Sequence, residues 1–284
     1  MRRLSILILI ILATSACEKR LPLPGGNKIG ISVNMLGNNI DAPEVKINLT
    51  TPLDKTDSFP PVSNAKVIIY APNDTGRLIY NGFTKSYSID TNIFKLKAGK
   101  IYKLQVQAPG FPLATSSLIM PPALNLSGAV FKDSIGIDGS GFPIGGVNFP
   151  LRDQAGVRNY YLLNFYTWNS NLAQWEDAGF NFVDADIDGA AEKNKNGSVL
   201  LNDNLFDGQS REIRLYAPFG FAGQTPKFKI AVRSLEQNYY YYLRSVENYA
   251  PASGIFSEPA QVLSNINGAV GIFAGSTVSE FIIN

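Results

Sequence analysis

The sequence predicts an all-β chain: two antiparallel β-sandwich domains, the first Ig-like or transthyretin-like, the second with one amphipathic helix near residues 234–249. Three observations lead there. Short segments alternate apolar with polar residues or run β-branched and aromatic, the period-2 signature of strands. Glycine and proline are plentiful, 25 and 17 in 284 residues, and they bound those segments as turns. One segment breaks the β pattern with a helical apolar period.

The first element is an address. In "MRRLSILILIILATSAC", Arg2 and Arg3 form a basic region, and Leu4–Ala13 is an apolar run too short to span a bilayer. Thr14, Ser15 and Ala16 then lead into Cys17. Residues 1–16 read as a secretory signal peptide. Its small residues followed at once by cysteine resemble a lipoprotein signal, in which that cysteine is acylated and becomes the mature first residue. Cys17 is the only cysteine, so no intramolecular disulfide can form. Several acyl chains anchor stably where one is marginal. Residues 17–28 form a tether, and no later segment has the apolar length of a membrane span.

The first domain is expected over 29–122. "IGISVN" (Ile29–Asn34), "EVKINLT" (Glu44–Thr50), "AKVIIYA" (Ala65–Ala71) and "IYKLQVQA" (Ile101–Ala108) read as strands. In the last of these, Tyr102, Leu104, Val106 and Ala108 share one face and Lys103, Gln105 and Gln107 the other, as in a half-buried antiparallel strand. Residues 123–146, glycine-rich and weakly periodic, read as a linker. The second domain, 147–284, holds "NYYLLNFYTW" (Asn159–Trp168), "EIRLYAPF" (Glu212–Phe219) and "KFKIAVRSL" (Lys227–Leu235) as strands.

The helix is expected from Ser234, a capping residue with Gln237 completing a capping box, to the stop at Pro251. Tyr239, Tyr242, Leu243, Val246 and Tyr249 recur at helical spacing as its apolar face. Tyr240, Tyr241 and Arg244 then point away from that face. They read either as amphipathic surface or as a partner contact, because tyrosine and arginine are favoured at binding hot spots.

Composition narrows the chemistry. Histidine is absent, which excludes Ser-His-Asp and Cys-His catalysis and histidine zinc sites. An acylated Cys17 leaves no thiol nucleophile. Without Arg2 and Arg3 the chain carries 23 basic and 23 acidic residues. A neutral chain with no basic run has no electrostatic footprint for nucleic acid.

One acidic stretch invites a metal reading. Asp184, Asp186 and Asp188 alternate, Gly189 follows, and Glu192 is ninth in the count. A helix-loop-helix calcium site needs a glutamate at the twelfth position, where this chain has Lys195. What remains is a calcium loop of β context, built from Asp184, Asp186, Asp188 and Glu192, or a solvated acidic turn. Asp203 and Asp207 form a second acidic turn. A glycosidase-type carboxylate pair depends on a separation in space, so sequence picks none.

Four stretches, taken in order, carry a family resemblance. They are "VSNAKVIIYAPNDTGRLIY", "KAGKIYKLQVQAPGF" with its Gly-x-x-Tyr-x-Leu-x-Val, "FPLRDQAGVRNYYLLNFY" with its Asp-x-x-Gly-x-x-x-Tyr-Tyr, and the closing "FSEPAQVLSNINGAVGIFAGSTVSEFIIN". The last supplies Pro259, Asn265, Ile266, Gly268, Gly271 and Phe273. Together they resemble the DUF4249 family across nearly the whole mature chain. The resemblance implies outer-membrane lipoproteins of Bacteroidota-type bacteria, often encoded beside TonB-dependent receptors, with no catalytic residues to carry over. Surface-exported lipoproteins of such bacteria tend to have acidic residues after the cysteine; here Glu18 is followed by Lys19 and Arg20. The expectation is a lipid-anchored, non-enzymatic accessory or ligand-binding partner of a TonB-dependent transporter at the outer membrane, surface-exposed in preference, with a periplasm-facing placement left open by Lys19 and Arg20. An adhesin or scaffold, or a carboxylate hydrolase of glycans or peptides, are the alternatives.

Overall fold

A computed structural model describes residues 29–51, 59–137, 139–141, 143–194, 197–216, 227–249 and 262–283. The signal peptide, Cys17 and the tether lie outside the described residues, as do Lys195, Pro251 and Pro259. The strands of the first half are β1 (Ile31–Asn38), β2 (Glu44–Leu49), β3 (Lys66–Ala71), β4 (Asp74–Asn81), β5 (Ser86–Ser88), β6 (Ile101–Gln107) and β7 (Ala114–Ile119). The second half holds β8 (Val130–Ile137), β9 (Pro143–Arg152), β10 (Tyr160–Asn169), β11 (Gln174–Asp177), β12 (Asn181–Phe182), β13 (Glu192–Lys193), β14 (Val199–Asn202), β15 (Ser210–Tyr216), β16 (Phe228–Leu235) and β17 (Val270–Ile283). Two α-helices, Ala185–Ala190 and Gln237–Asn248, and a 3-10 turn, Asp203–Leu205, complete the list among the described residues. The chain is all-β, and all seven segments expected as strands contain one.

The first half is a rolled sheet, in the order β17-β1-β2-β5-β4-β3-β6-β7. Its inward residues, among them Val33, Val45, Ile69, Leu104 and Val106, converge on one core. β6 shows why: Tyr102, Leu104 and Val106 are buried while Lys103 and Gln107 are exposed, as strict alternation requires. The roll closes on itself. Thr115 of β7 exchanges both backbone hydrogen bonds with Asn267, at 3.0 and 2.9 Å, and that segment runs directly into β17. Closure removes an open edge that could otherwise pair with another chain.

The second half is a two-layer sandwich. β10 lies between β14 and β16, and β16 pairs with the far half of β17 from Leu235↔Ser276 to Phe228↔Ile283. The sheet β12-β15-β9-β8 packs over it, bringing Phe149, Leu151, Ile213 and Leu215 against Leu163, Phe165, Ile230 and Val232. Tyr160, Leu200 and Leu235 face the other way and are covered by the helix Gln237–Asn248. Burial on both faces explains the near-continuous apolar run "YYLLNFY".

Three expectations are corrected. The sheets are not wholly antiparallel: β1 and β17 pair in parallel, Ser32↔Val270 through Asn38↔Ser276. The stretch 123–146 is not a linker, because most of its later half is β8 and β9, paired from Val130↔Asn148 to Ile137↔Pro143. Its glycines serve close packing: a Cβ on Gly146 would lie 2.2 Å from both Ile135 and the Leu215 carbonyl. The boundary after residue 122 also fails to separate the halves, since Ile266 and Phe273 belong to the first core.

Gly271 sits at the parallel pairing with φ +125°, and a Cβ there would lie 2.1 Å from the Val33 carbonyl oxygen. Both the backbone region and the space demand glycine. Gly271→Ala should therefore lower stability by about 3 kcal/mol or more, read as a reduced urea midpoint with an unchanged slope.

Candidate functional site

The acidic stretch does not form a loop. Residues Ala185–Ala190 are a short helix with Asp184 at its N-cap position, and the acids turn to separate partners. Asp184 takes the Arg214 guanidinium at 2.5 Å, Asp188 faces Lys193 at 3.0 Å, and Glu192 faces Arg244 at 2.8 Å. Asp184, Asp186, Asp188 and Glu192 are thus not gathered around a common point. Each cation holds one carboxylate in its own direction, and the helix carries the side chains apart.

Three other acids do converge. One oxygen each of Asp153, Asp203 and Asp207 lies within 4.8 Å of the others. Asp203 and Asp207 come from the second acidic turn; Asp153 is some 50 residues earlier, a meeting that only the fold makes. Their oxygens are engaged by the protein. Asp153 accepts from the Tyr161 hydroxyl at 2.5 Å and the Gly208 amide at 2.9 Å. Asp203 accepts from the Asn159 amide at 2.6 Å, and Asp207 from the Gly156 amide at 2.9 Å. The cluster braces two loops against each other. Burial pushes the Asp203 carboxyl above the usual carboxylate range, opposed by the Asn159 bond. Burial and the Asp153 bond push the Tyr161 hydroxyl up as well.

The helix Gln237–Asn248 begins later than expected and is rotated. Ser234 is a buried strand residue. The cap is Glu236, whose carboxylate accepts from the Asn238 and Tyr239 amides at 3.0 and 3.3 Å. Tyr240, expected to face outward, is buried at 2% exposure. Its ring stacks on Tyr160 at 4.4 Å, and its hydroxyl reaches Glu192 and Asn202 at 3.3 Å. Tyr241 is half-buried with its hydroxyl 3.4 Å from that of Tyr160, and Arg244 is spent on Glu192. Of the face expected inside, Tyr239 and Leu243 pack against the Tyr160, Leu200 and Leu235 cluster, while Val246 and Tyr249 are exposed. The helical period holds, and the buried face takes in Tyr240 and Tyr241 in place of Val246 and Tyr249. A polar rim of Glu192 and Asn202 lets a tyrosine and an arginine face the sheet, which an apolar count cannot register.

Trp168 and Trp175 form an edge-to-face cross-strand pair, with Lys227 within 6 Å of both rings. Lys229 also lies over the Trp175 ring, at 5.5 Å.

The described residues also frame an open groove of about 650 Å³ between the outer face of the rolled sheet and the helix start. Its floor is Tyr70, Lys103, Gln105, Thr115 and Ser117 from β3, β6 and β7; Asn238, Asn265 and Asn267 form the far side. The register orders the floor into two rows. Tyr70 is opposite Lys103, which is opposite Ser117; Gln105 is opposite Thr115, which is bridged to Asn267. The Tyr70 hydroxyl donates to Gln105 Oε1 at 2.8 Å. Alternation along each strand places these side chains outside while their neighbours fill the core, so the rigid core positions the floor. Sequence reading reached the outward face of β6 but not the groove, which needs three strands and the 265–267 segment together.

Fold and groove define an all-β protein in which one rolled sheet and one sandwich share a strand. Its family follows from the chain as a whole. The model of DUF4249, a domain of unknown function, matches residues 31–282, and the chain belongs to that family. No protein of curated function matches it. The match spans both halves, in keeping with a strand that belongs to both.

Two measurements check this account. Tyr240→Ala should cost about 3–5 kcal/mol, as expected for a large buried ring; Arg244→Ala, at a half-exposed ion pair, should cost less than about 1 kcal/mol. Urea unfolding distinguishes them. A raised Asp203 pKa means that the folded state favours the protonated form. Its contribution is therefore greatest below the ordinary carboxylate pKa and is lost as pH rises through the raised value. Asp203→Asn should raise the melting temperature at neutral pH and shrink the gain seen on mild acidification.

Proposed function

We propose that the protein is a lipid-anchored lipoprotein of the outer membrane that acts as a ligand-binding accessory of a TonB-dependent transporter. The observation that carries the binding role is the groove: an open, polar concavity on a sheet whose opposite face is core. Clefts of this size hold small ligands, and a few placed polar groups fix their orientation. The chemistry present favours binding over turnover. The chain has no histidine, and the converging acids Asp153, Asp203 and Asp207 are held by loop amides and a tyrosine. The anchor rests on Cys17 behind its signal sequence, and the transporter on the family resemblance. No helix among the described residues is long and apolar enough to cross a membrane.

Two experiments test this. Cys17→Ser should abolish acylation and release the protein from the membrane fraction after a high-salt wash; retention there would remove the lipid from the account. Affinity purification of the acylated, tagged chain from detergent-solubilised outer membranes should bring down a TonB-dependent transporter. Recovery of the chain alone would favour the scaffold reading.

A further inference from the structure

We infer that the groove takes a neutral, polyhydroxylated ligand, a segment of oligosaccharide laid across β3, β6 and β7. The inference rests on the binding role proposed above and names its ligand class. It begins with charge. The groove lining offers amides and hydroxyls, one formal charge at Lys103 and no carboxylate. A cationic ligand meets no counter-charge there. A strongly anionic one meets a single lysine, because the amides at the helix start beside the groove, Asn238 and Tyr239, are already taken by the Glu236 carboxylate.

Geometry narrows the class further. The rows Tyr70–Lys103–Ser117 and Gln105–Thr115–Asn267 present polar groups at the inter-strand step of roughly 4.8 Å. Such a regular lattice of donors and acceptors suits a ligand that carries hydroxyls along its whole length. Tyr70 is 38% exposed, and its hydroxyl is tied to Gln105. The ring is therefore held in place and can pack against the C–H face of a sugar. Because Gln105 Oε1 already accepts from Tyr70, the amide NH₂ is the end left to donate.

The same features disfavour a peptide. An extended peptide would bind a sheet most simply by adding a strand to a free edge. Here the β7 edge is taken: Thr115 is bridged to Asn267 in both directions, and Ser116 Oγ donates to the Asn265 carbonyl at 2.8 Å. Leu104, the apolar member of the lining, turns its side chain to the core and is 2% exposed. No apolar socket is offered to a peptide side chain along this floor.

The test uses the full acylated chain in detergent micelles on a printed array of neutral and acidic glycans, with a random hexapeptide library as competitor. The expected result is retention on neutral glycans, competed by the same glycan in solution and not by the peptides. Tyr70→Ala with Gln105→Ala should weaken that binding at least about tenfold, the loss of a stacking contact and a hydrogen bond. Both positions point outward, so the melting temperature should hold. Ser117→Trp should block binding by filling the floor while leaving those two residues in place. Absence of glycan binding, or binding that survives both variants, overturns the inference. Peptide binding lost in the same variants would overturn the ligand class and keep the groove. Transporter co-purification without glycan binding would overturn this inference and keep the accessory role.

Discussion

The molecule depends on one strand used twice. β17 runs parallel to β1 through its first half and antiparallel to β16 through its second. The change of partner falls at Ser276, and local bonds secure it. Asn39, just past β1, extends the ladder by bonding both the amide and the carbonyl of Val278, at 2.7 and 3.3 Å. The Thr277 hydroxyl donates to the Pro121 carbonyl at 2.6 Å, and Ser279 accepts from the Leu124 amide at 3.1 Å. The crossover from the first half is thus fastened to the shared strand. Neither half is complete until the last residues of the chain are in place. Such long-range pairing costs loop-closure entropy before any contact compensates for it.

That constraint accounts for the residues of the stretches that carry the family resemblance. Asn265 holds Phe273 through both side-chain atoms, at 2.8 and 2.9 Å, and so pins the loop that feeds the strand. Gly268, at φ +81°, passes so close to β7 that a Cβ would sit 2.4 Å from the Leu113 carbonyl. In the Asp-x-x-Gly-x-x-x-Tyr-Tyr stretch, Asp153 and Gly156 tie the entry loop to the acidic turn. Tyr160 then stacks under the helix, while Tyr161 packs near Phe206 in the sandwich core. These stretches therefore describe closure. They say how the sheet is rolled and joined, not what it binds.

Much of this could be read in the sequence wherever the information was local. Strict alternation in "IYKLQVQ" is reproduced residue by residue, because a half-buried strand writes its environment into its own pattern. The stretch 123–146 was opaque for the opposite reason. Its glycines suggest a linker, yet Gly146 exists because Ile135 and β15 crowd it, a fact held by residues far away. The acidic stretch Asp184–Glu192 looked like a ligand loop because alternating aspartates carry no record of Arg214, Lys193 and Arg244. The edge of the helix's buried face is missed at Tyr240, where a ring buried against Tyr160 keeps a polar tip among Asn202 and Glu192. In each case a long-range partner supplied what composition could not.

The groove stands at the meeting of these two kinds of information. Asn265 and Asn267 close the roll and also line the groove, so closure itself builds one wall. The floor is made differently. Along β6, Tyr102, Leu104 and Val106 hold the core, while Lys103 and Gln105 alternate with them and face out. Core positions are costly to change, whereas exposed ones usually shift stability by less than about 0.5 kcal/mol. A floor built from outward positions of a closed sheet can therefore change its chemistry almost independently of the fold. Exchanges at Tyr70, Lys103, Gln105 or Ser117 should therefore alter the groove while the wall, the glycines and the shared strand stay in place.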